Sequence, residues 1–349
     1  MKVKDISESS LDLKMKRKIV IGLLILAILG AAVFLNLFPR EERIPRLTET
    51  WFKNKIIFAS GENIVMANED GSNPMIITRG KAPAFSPDGK KLAFLRVHEM
   101  CLIEFEKGSI TKLLNDVLIL EFKFSPDSQK IAFTSVENNG NSLSVIDLAS
   151  KKILKLTEGW KGIYRISWSP DGTQIVFGDI KSEKIFIINI DGTNLTELTE
   201  GREPIWSPKE AKIAFIRYYG TEKEVTTELF VMDLNTKNII KIAENADYPY
   251  WSPDGKKIAF ISFIDRISRI LVADIETGNV TELTKGDSDV LIFGPLVWSA
   301  DGKKIAFQMG GPRFNKDMEI YLVNIENKEI KNISNNPKAY DVQPCFPPF

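Results

Sequence analysis

One phrase recurs along the chain and limits what it can fold into. Phe85-Ser-Pro-Asp-Gly is followed by Lys-Leu-Ala-Phe, and the pattern returns at Phe124-Ser-Pro-Asp-Ser, Trp168-Ser-Pro-Asp-Gly, Trp206-Ser-Pro-Lys-Glu, Trp251-Ser-Pro-Asp-Gly and Trp298-Ser-Ala-Asp-Gly. The aromatic residues are spaced 39, 44, 38, 45 and 47 residues apart. A period of that length, filled with strand formers and turn signals, specifies the blades of a β-propeller.

The phrase is a hairpin in chemical terms. Proline presets φ at the second turn position, aspartate follows, and glycine takes the left-handed position that closes the turn. Ser128 and Glu210 stand where glycine is preferred, which predicts strained or differently shaped turns there. A third strand follows in each unit, as in Ile185-Phe-Ile-Ile-Asn-Ile. A polar turn such as Asp191-Gly-Thr-Asn and a fourth strand such as Leu195-Thr-Glu-Leu-Thr complete it. The turn aspartates are explained by turn conformation, since a calcium site needs six to eight converging oxygens.

Counting strands gives more than counting phrases. Lys55-Ile-Ile-Phe-Ala-Ser, Asn63-Ile-Val-Met-Ala-Asn and Pro74-Met-Ile-Ile-Thr read as strands two, three and four of a unit that lacks its first. Tyr340-Asp-Val-Gln-Pro-Cys-Phe reads as a first strand with nothing after it, and Phe346 lies 48 residues after Trp298. Residues 55–349 are therefore expected to form an all-β, seven-bladed propeller of four-stranded antiparallel blades, closed by the C-terminal strand. Closure removes the open sheet edges that invite aggregation.

These residues resemble the TolB-like β-propeller family, in which W/F-S-P-D-G-K-x-I-A-F marks the first hairpin of each blade. The resemblance spans roughly residues 55–349, and the paired Gly-His and Trp-Asp signals of WD-repeat propellers are absent. It implies a ring that binds protein partners in a cell envelope. The same repeats accompany a hydrolase domain in prolyl-oligopeptidase-like enzymes, and here the propeller takes up the chain, leaving no room for one.

The N-terminus is of another kind. Residues 19–38, IVIGLLILAILGAAVFLNLF, hold Asn36 as the one strongly polar residue. At about 1.5 Å per residue a helix of that length spans roughly 30 Å, the thickness of a bilayer core. Residues 1–18 carry six basic and three acidic side chains, residues 40–46 three and two. That bias predicts a cytoplasmic tail (1–18), an uncleaved signal-anchor helix (19–38), a linker (39–54) and an extracytoplasmic propeller.

Forty-six basic residues balance forty-six acidic ones, which argues against nucleic acid as a partner. Two distant cysteines, Cys101 and Cys345, form neither a disulfide framework nor a zinc pattern. The single histidine, His98, falls between two strands, and no G-x-S-x-G elbow, P-loop or dinucleotide fingerprint occurs. The reading is a non-catalytic module with no cofactor and no metal.

Loop length marks where binding is expected. Loops joining strands two and three, and loops joining blades, share one face of a propeller and vary here, and irregular loops over a rigid scaffold commonly carry function. Trp160, Arg202, Arg217, Tyr218, Tyr219, Arg266, Arg313 and Phe314 lie on them and are residue types that anchor partners. Glu121, Lys123, Arg165, Glu203 and Asp247 lie on or beside innermost strands and are candidates to line the channel. The expected ligand is an envelope protein or peptide. The alternative is a partner of a hydrolase-like or lyase-like enzyme, or an unrecognised propeller enzyme acting on peptides or sugars through those channel residues.

Overall fold

A computed structural model describes residues 44, 48–138, 140–221, 224–265, 267–286, 290–311, 318–336 and 339–349. The expected helix at 19–38 lies outside the described residues, and no helix among them is long and apolar enough to cross a membrane. Among the described residues twenty-eight strands, β1 to β28 in chain order, form seven four-stranded sheets. Six sheets follow the chain four strands at a time. The seventh joins the last strand, β28 (Asp341–Cys345), to β1 (Lys55–Ser60).

The pairing across that join is antiparallel, with Ile57 opposite Cys345 and Ser60 opposite Asp341. The amide of Gly61 donates to the carbonyl of Tyr340 at 3.0 Å. Ring closure by the C-terminal strand, and the count of seven blades, follow the strand arithmetic of the sequence. We number the blades from this one, so that β4–β7 form blade 2 and β24–β27 blade 7.

The Ile-Ala-Phe motif explains how blades stack. In the second strands of blades 2, 3, 5, 6 and 7 the large residues, such as Ile258 and Phe260, are buried, and so is the alanine between them; blade 4 has Val176 in the alanine's place. Ala259 shares its core cluster with Trp298 and Phe307 of the next blade, and Ala214 with Trp251 and Phe260. Alternation sends Ile and Phe to one side of the sheet and Ala to the other. The small side receives the neighbour's tryptophan. Its indole N–H then donates to a backbone carbonyl of the preceding blade: Trp168 to Lys123, Trp251 to Ile205 and Trp298 to Tyr250, at 3.0–3.2 Å.

The turns behave as their sequences predict, with one refinement. In five of them the serine hydroxyl donates to the aspartate two residues on, as from Ser299 to Asp301 at 2.6 Å, and accepts the amide five residues on. Ser128 adopts φ +61°, the left-handed conformation expected of glycine, and its hydroxyl accepts the amide of Asp88 in the adjacent turn at 3.0 Å. That contact offsets the strain. Glu210 stays out of the left-handed region and the turn closes through a bond from the Lys212 amide to its carbonyl instead.

Cys101 and Cys345 are not disulfide-bonded and lie buried in one cluster. His98 sits exposed in the turn between β5 (Lys91–Arg96) and β6 (Glu99–Glu104). The end of the expected linker packs onto the ring. Phe52, in the helical turn α1 (Glu49–Phe52), is 1% exposed and lies 4.6 Å from Phe105 and 5.4 Å from Phe85, centroid to centroid.

Candidate functional site

The innermost strands are not regular. Their ladders slip between Lys81 and Ala84, Tyr164 and Ser167, Arg202 and Ile205, Asp247 and Tyr250, and Phe293 and Val297. At these bulges Ala82, Arg165, Glu203, Tyr248 and Gly294 take φ between +51° and +67°, and Gln343 in β28 takes +57°. A bulge re-aims a side chain, and a left-handed non-glycine residue costs about 1–2 kcal/mol unless its surroundings hold it.

Neighbouring blades supply the hold. The Ala82 amide donates to Gln343 Oε1 at 2.9 Å, and the Gln343 amide to Gln308 Oε1 at 3.0 Å. Beside the Arg165 bulge, the Ile166 amide donates to Glu121 Oε2 at 3.1 Å. In blades 1, 2, 5, 6 and 7 the next residue is proline (Pro344, Pro83, Pro204, Pro249, Pro295), which has no amide hydrogen to place.

The bulges turn charged side chains toward the axis on one side only. A cavity of about 780 Å³ runs along the inner strands. Glu121 and Lys123 on β8 (Ile119–Phe124), Arg165 on β12 (Ile163–Trp168) and Glu203 on β16 (Arg202–Trp206) line it in three consecutive blades, with Tyr250 from β20 (Ala246–Trp251). Alanine, proline and leucine line it elsewhere, at Ala82, Leu296 and Pro344 among others.

Arg165 ties this group together. Its Nε is ion-paired with Glu203 Oε2, and its Nη1 donates to Tyr250 Oη at 2.6 Å across the width of a blade. The guanidinium also lies over the rings of Tyr248 and Tyr250, 5.0 and 5.5 Å from their centroids. Lys123 Nζ lies 3.6 Å from Glu121 Oε1. Four of the five channel candidates thus converge on one cavity.

Asp247, the fifth candidate, is not among the residues that line the cavity. Its carboxylate accepts the Tyr248 amide at 3.0 Å and faces Tyr218 Oη at 3.4 Å. Tyr218 in turn carries Arg202 over its ring at 4.6 Å, and Arg202 is ion-paired with Glu183. The channel group and the loop group therefore meet through Tyr218. A cleft of about 670 Å³, lined by Glu183, Arg202, Arg217, Tyr218 and Tyr219, opens beside this junction.

Burial shapes the electrostatics. Burial raises the pKa of Glu203 and the Asp247 charge raises it further, against the lowering effect of Arg165. Asp247 is likewise raised by burial, opposed by hydrogen bonds from Tyr248 and Tyr218. The Tyr218 phenol is pushed up by burial and then by the charges of Asp247 and Glu203. The site is a desolvated set of acids beside two arginines that already have partners.

Several loop expectations need correction. Arg217-Tyr-Tyr-Gly is not an irregular loop: β17 (Lys212–Thr221) and β18 (Glu224–Asp233) continue as one ladder through Tyr218 and Tyr219, whose opposite residues are Thr227 and Thr226. Aromatic and β-branched residues facing each other extend a ladder readily. Arg217 is a brace. It stacks on Phe215 and Phe230 and donates to Thr199 Oγ1 at 2.8 Å and to the Glu200 carbonyl at 3.3 Å. Arg96 does the same in blade 2 with Phe94, Thr78 and Arg79. Trp160 is also scaffold, edge-on to Phe177 and Phe186 at 5.3 and 4.8 Å. Arg266, Arg313 and Phe314 lie outside the described residues.

Sequence reasoning passed over Tyr248 and Tyr250. The signal was present: the bulge residue stands three before the phrase aromatic in blades 1, 2, 4, 5 and 6, and proline follows it in all of these but blade 4. Among the described residues no three His, Cys, Asp or Glu side chains are grouped to hold a metal ion.

Fold and site together define a closed seven-bladed propeller with an asymmetric polar channel. The TolB beta propeller domain family matches residues 47–215 and 209–348, and the chain belongs to that family. Solved structures share the architecture at low identity. Oligogalacturonate lyase from Vibrio parahaemolyticus is 17% identical with a TM-score of 0.61, covering 84% of this chain and 91% of that one. The β-propeller domain of the Trilobed protease from Pyrococcus furiosus, described as having an open velcro topology, is 17% identical with a TM-score of 0.60, covering 81% and 95%. TolB from Acinetobacter baumannii is 17% identical with a TM-score of 0.56, covering 85% and 67%. These likenesses concern the fold.

Proposed function

We propose that this chain is a non-catalytic binding or scaffold module whose loop face grips a protein or peptide of the cell envelope. In this reading residues 19–38 anchor it in a membrane with the propeller outside the cytoplasm. The observation that carries the binding reading is where large apolar side chains meet solvent. Val97, Val136, Ile180, Tyr219 and Phe263 stand on the second-to-third-strand hairpins of blades 2 to 6, 42–85% exposed. Other exposed large apolar residues are spread on or beside the outermost strands (Ile76, Ile153, Leu195, Ile240, Val280, Ile330) or stand on the opposite face (Trp51, Phe349), so what sets the loop face apart is that five consecutive hairpin tips each carry one. An arc of exposed apolar tips on neighbouring hairpins of a rigid scaffold supports an interaction surface there.

The test is a double variant, Tyr219→Ala with Phe263→Ala, in pull-downs from native membranes. Loss of a co-purifying envelope protein with unchanged melting supports the reading. Unchanged capture counts against this face.

A second reading has one observation in its favour. Arg165, Tyr250, Glu121 and Glu203 bring an arginine-bound phenol and two carboxylates to one cavity, a grouping able to exchange protons with a ligand. In this reading the channel is the reaction site of an enzyme acting on sugars or peptides. Turnover of a glycoside or peptide substrate that is abolished by Glu121→Gln would replace the binding reading with this one.

A further inference from the structure

The strand that closes the ring departs from the other six innermost strands at one buried position. The residue five before the phrase aromatic is Gly80, Ile119, Ile163, Gly201 and Ala246 in blades 2 to 6, and Ile292 fills the place in blade 7, where the bulge is one residue longer. All six are buried. In β28 the same position is Asp341, which is 0% exposed and stands opposite Ser60. Its amide donates to the Met318 carbonyl at 2.9 Å, so the backbone is fixed while the carboxylate is sealed in. Neither carboxylate oxygen has a hydrogen bond of good geometry, and the Ser60 and Ser334 hydroxyls beside it offset only part of the cost of burial.

β28 packs against β1, β4 (Lys81–Phe85), β24 (Leu291–Trp298), β25 (Lys304–Gly310) and β26 (Glu319–Asn324). Among the described residues the charge that acts on Asp341 is Glu319, itself 8% exposed and hydrogen-bonded by Asn332, and it has the same sign. The cations of these strands are elsewhere: Lys55 and Lys304 lie at the turn-face ends of β1 and β25, and Lys81 is exposed. Two carboxylates in a dry site do not both stay ionised without a large cost. We propose that Asp341 is a proton-operated clasp: it seats as the neutral acid where the C-terminal strand joins blade 1, and the closure loosens when that proton passes to solvent. β28 is held to β1 by pairing alone, with no hairpin between them, so a charge at this point acts on ring opening. Burial first, and then the Glu319 charge, push the Asp341 pKa above its ordinary 3.8. The stability this group contributes is therefore full below that value and is lost as pH rises through the folded one.

The experiment melts the full-length chain and its Asp341→Asn variant side by side between pH 4 and pH 8. The turn aspartates titrate alike in both, so the difference isolates position 341. Asp341→Asn should melt with the wild type at pH 4 and above it by about 2 °C or more at pH 8. Asp341→Ala, which copies the residue of blade 6, should show the same rise with pH, and Glu319→Gln a smaller one. Hydrogen exchange at the Gly61 amide, which is bonded to the Tyr340 carbonyl, should be slower in Asp341→Asn than in the wild type at pH 8 and equal at pH 4. Lower melting or failure to fold of Asp341→Asn, or a difference that does not change with pH, overturns the inference. Calcium that raises melting of the wild type at pH 8 but not of Asp341→Asn overturns it too, by making the acid pair a cation site.

Discussion

The two faces of the ring are built by opposite rules. On the turn face the same serine and aspartate make the same bonds in five blades, and the left-handed corner is glycine or an offset serine. On the loop face hairpins differ in length, apolar residues stand in solvent, and acids are buried beside arginines. Repetition marks what every blade needs to fold. Departure from repetition marks what the ring does not need for folding, and there the proposed binding surface lies.

The largest expected effect falls on the ring itself. Removing residues 339–349 takes away β28 and leaves blade 1 three-stranded with an open inner edge, so cooperative melting should be lost. A truncated chain that melts with the full one would break the closure argument. Next comes Trp298→Ala, which opens a cavity against Ala259 and removes the bond to the Tyr250 carbonyl. About 3–5 kcal/mol of destabilisation is expected in denaturant unfolding. Tyr219→Ala should cost under roughly 0.5 kcal/mol in the same measurement, since this exposed side chain lies away from the core. A reversed order would erase the distinction between the faces.

Acid separates the faces in sign. Asp171 and Asp301 have lowered pKa values, chiefly through hydrogen bonds from Ser169 and Ser299. A depressed folded-state pKa contributes stability that is present above the unfolded value of 3.8 and is lost as pH falls below it. Glu203 and Asp247 are raised, so protonating them relieves the folded state as pH falls through their folded values. Asp301→Asn should therefore lower the melting temperature at pH 7 and have little effect at pH 3, whereas Asp247→Asn should not lower it at pH 7. A marked loss of melting temperature on Asp247→Asn at pH 7 would contradict the difference in sign.

The smallest effect sharpens the rule at one corner. Ser128→Gly relieves a left-handed serine but removes the bond from the Asp88 amide, so the two changes should nearly cancel, within about 1 kcal/mol by thermal melting.

Much of this was legible in the sequence because it depends on local chemistry repeated many times. Proline, aspartate and glycine define most of the turns, Ile-Ala-Phe or a close variant marks the second strands, and the orphan strands at 55–60 and 341–345 reveal the closure. The channel candidates came from their places on innermost strands, and four of them do line one cavity. Their partners were not legible. Arg165 meets Tyr250 across 85 residues of chain, a contact set by ring curvature and by bulges that hydrophobic alternation does not show. Arg217 and Trp160 misled for a related reason. Their residue types suit an interface, but phenylalanines of their own blades were already waiting to receive them.

The central claim is that the loop face meets the partner, and site-specific photocrosslinking tests it most directly. A benzophenone amino acid placed at Tyr219, and separately at Lys303 on the turn face, is irradiated in native membranes. The account predicts one discrete crosslinked species from position 219 and none from position 303. Equal labelling from both positions, or labelling from 303 alone, would contradict it.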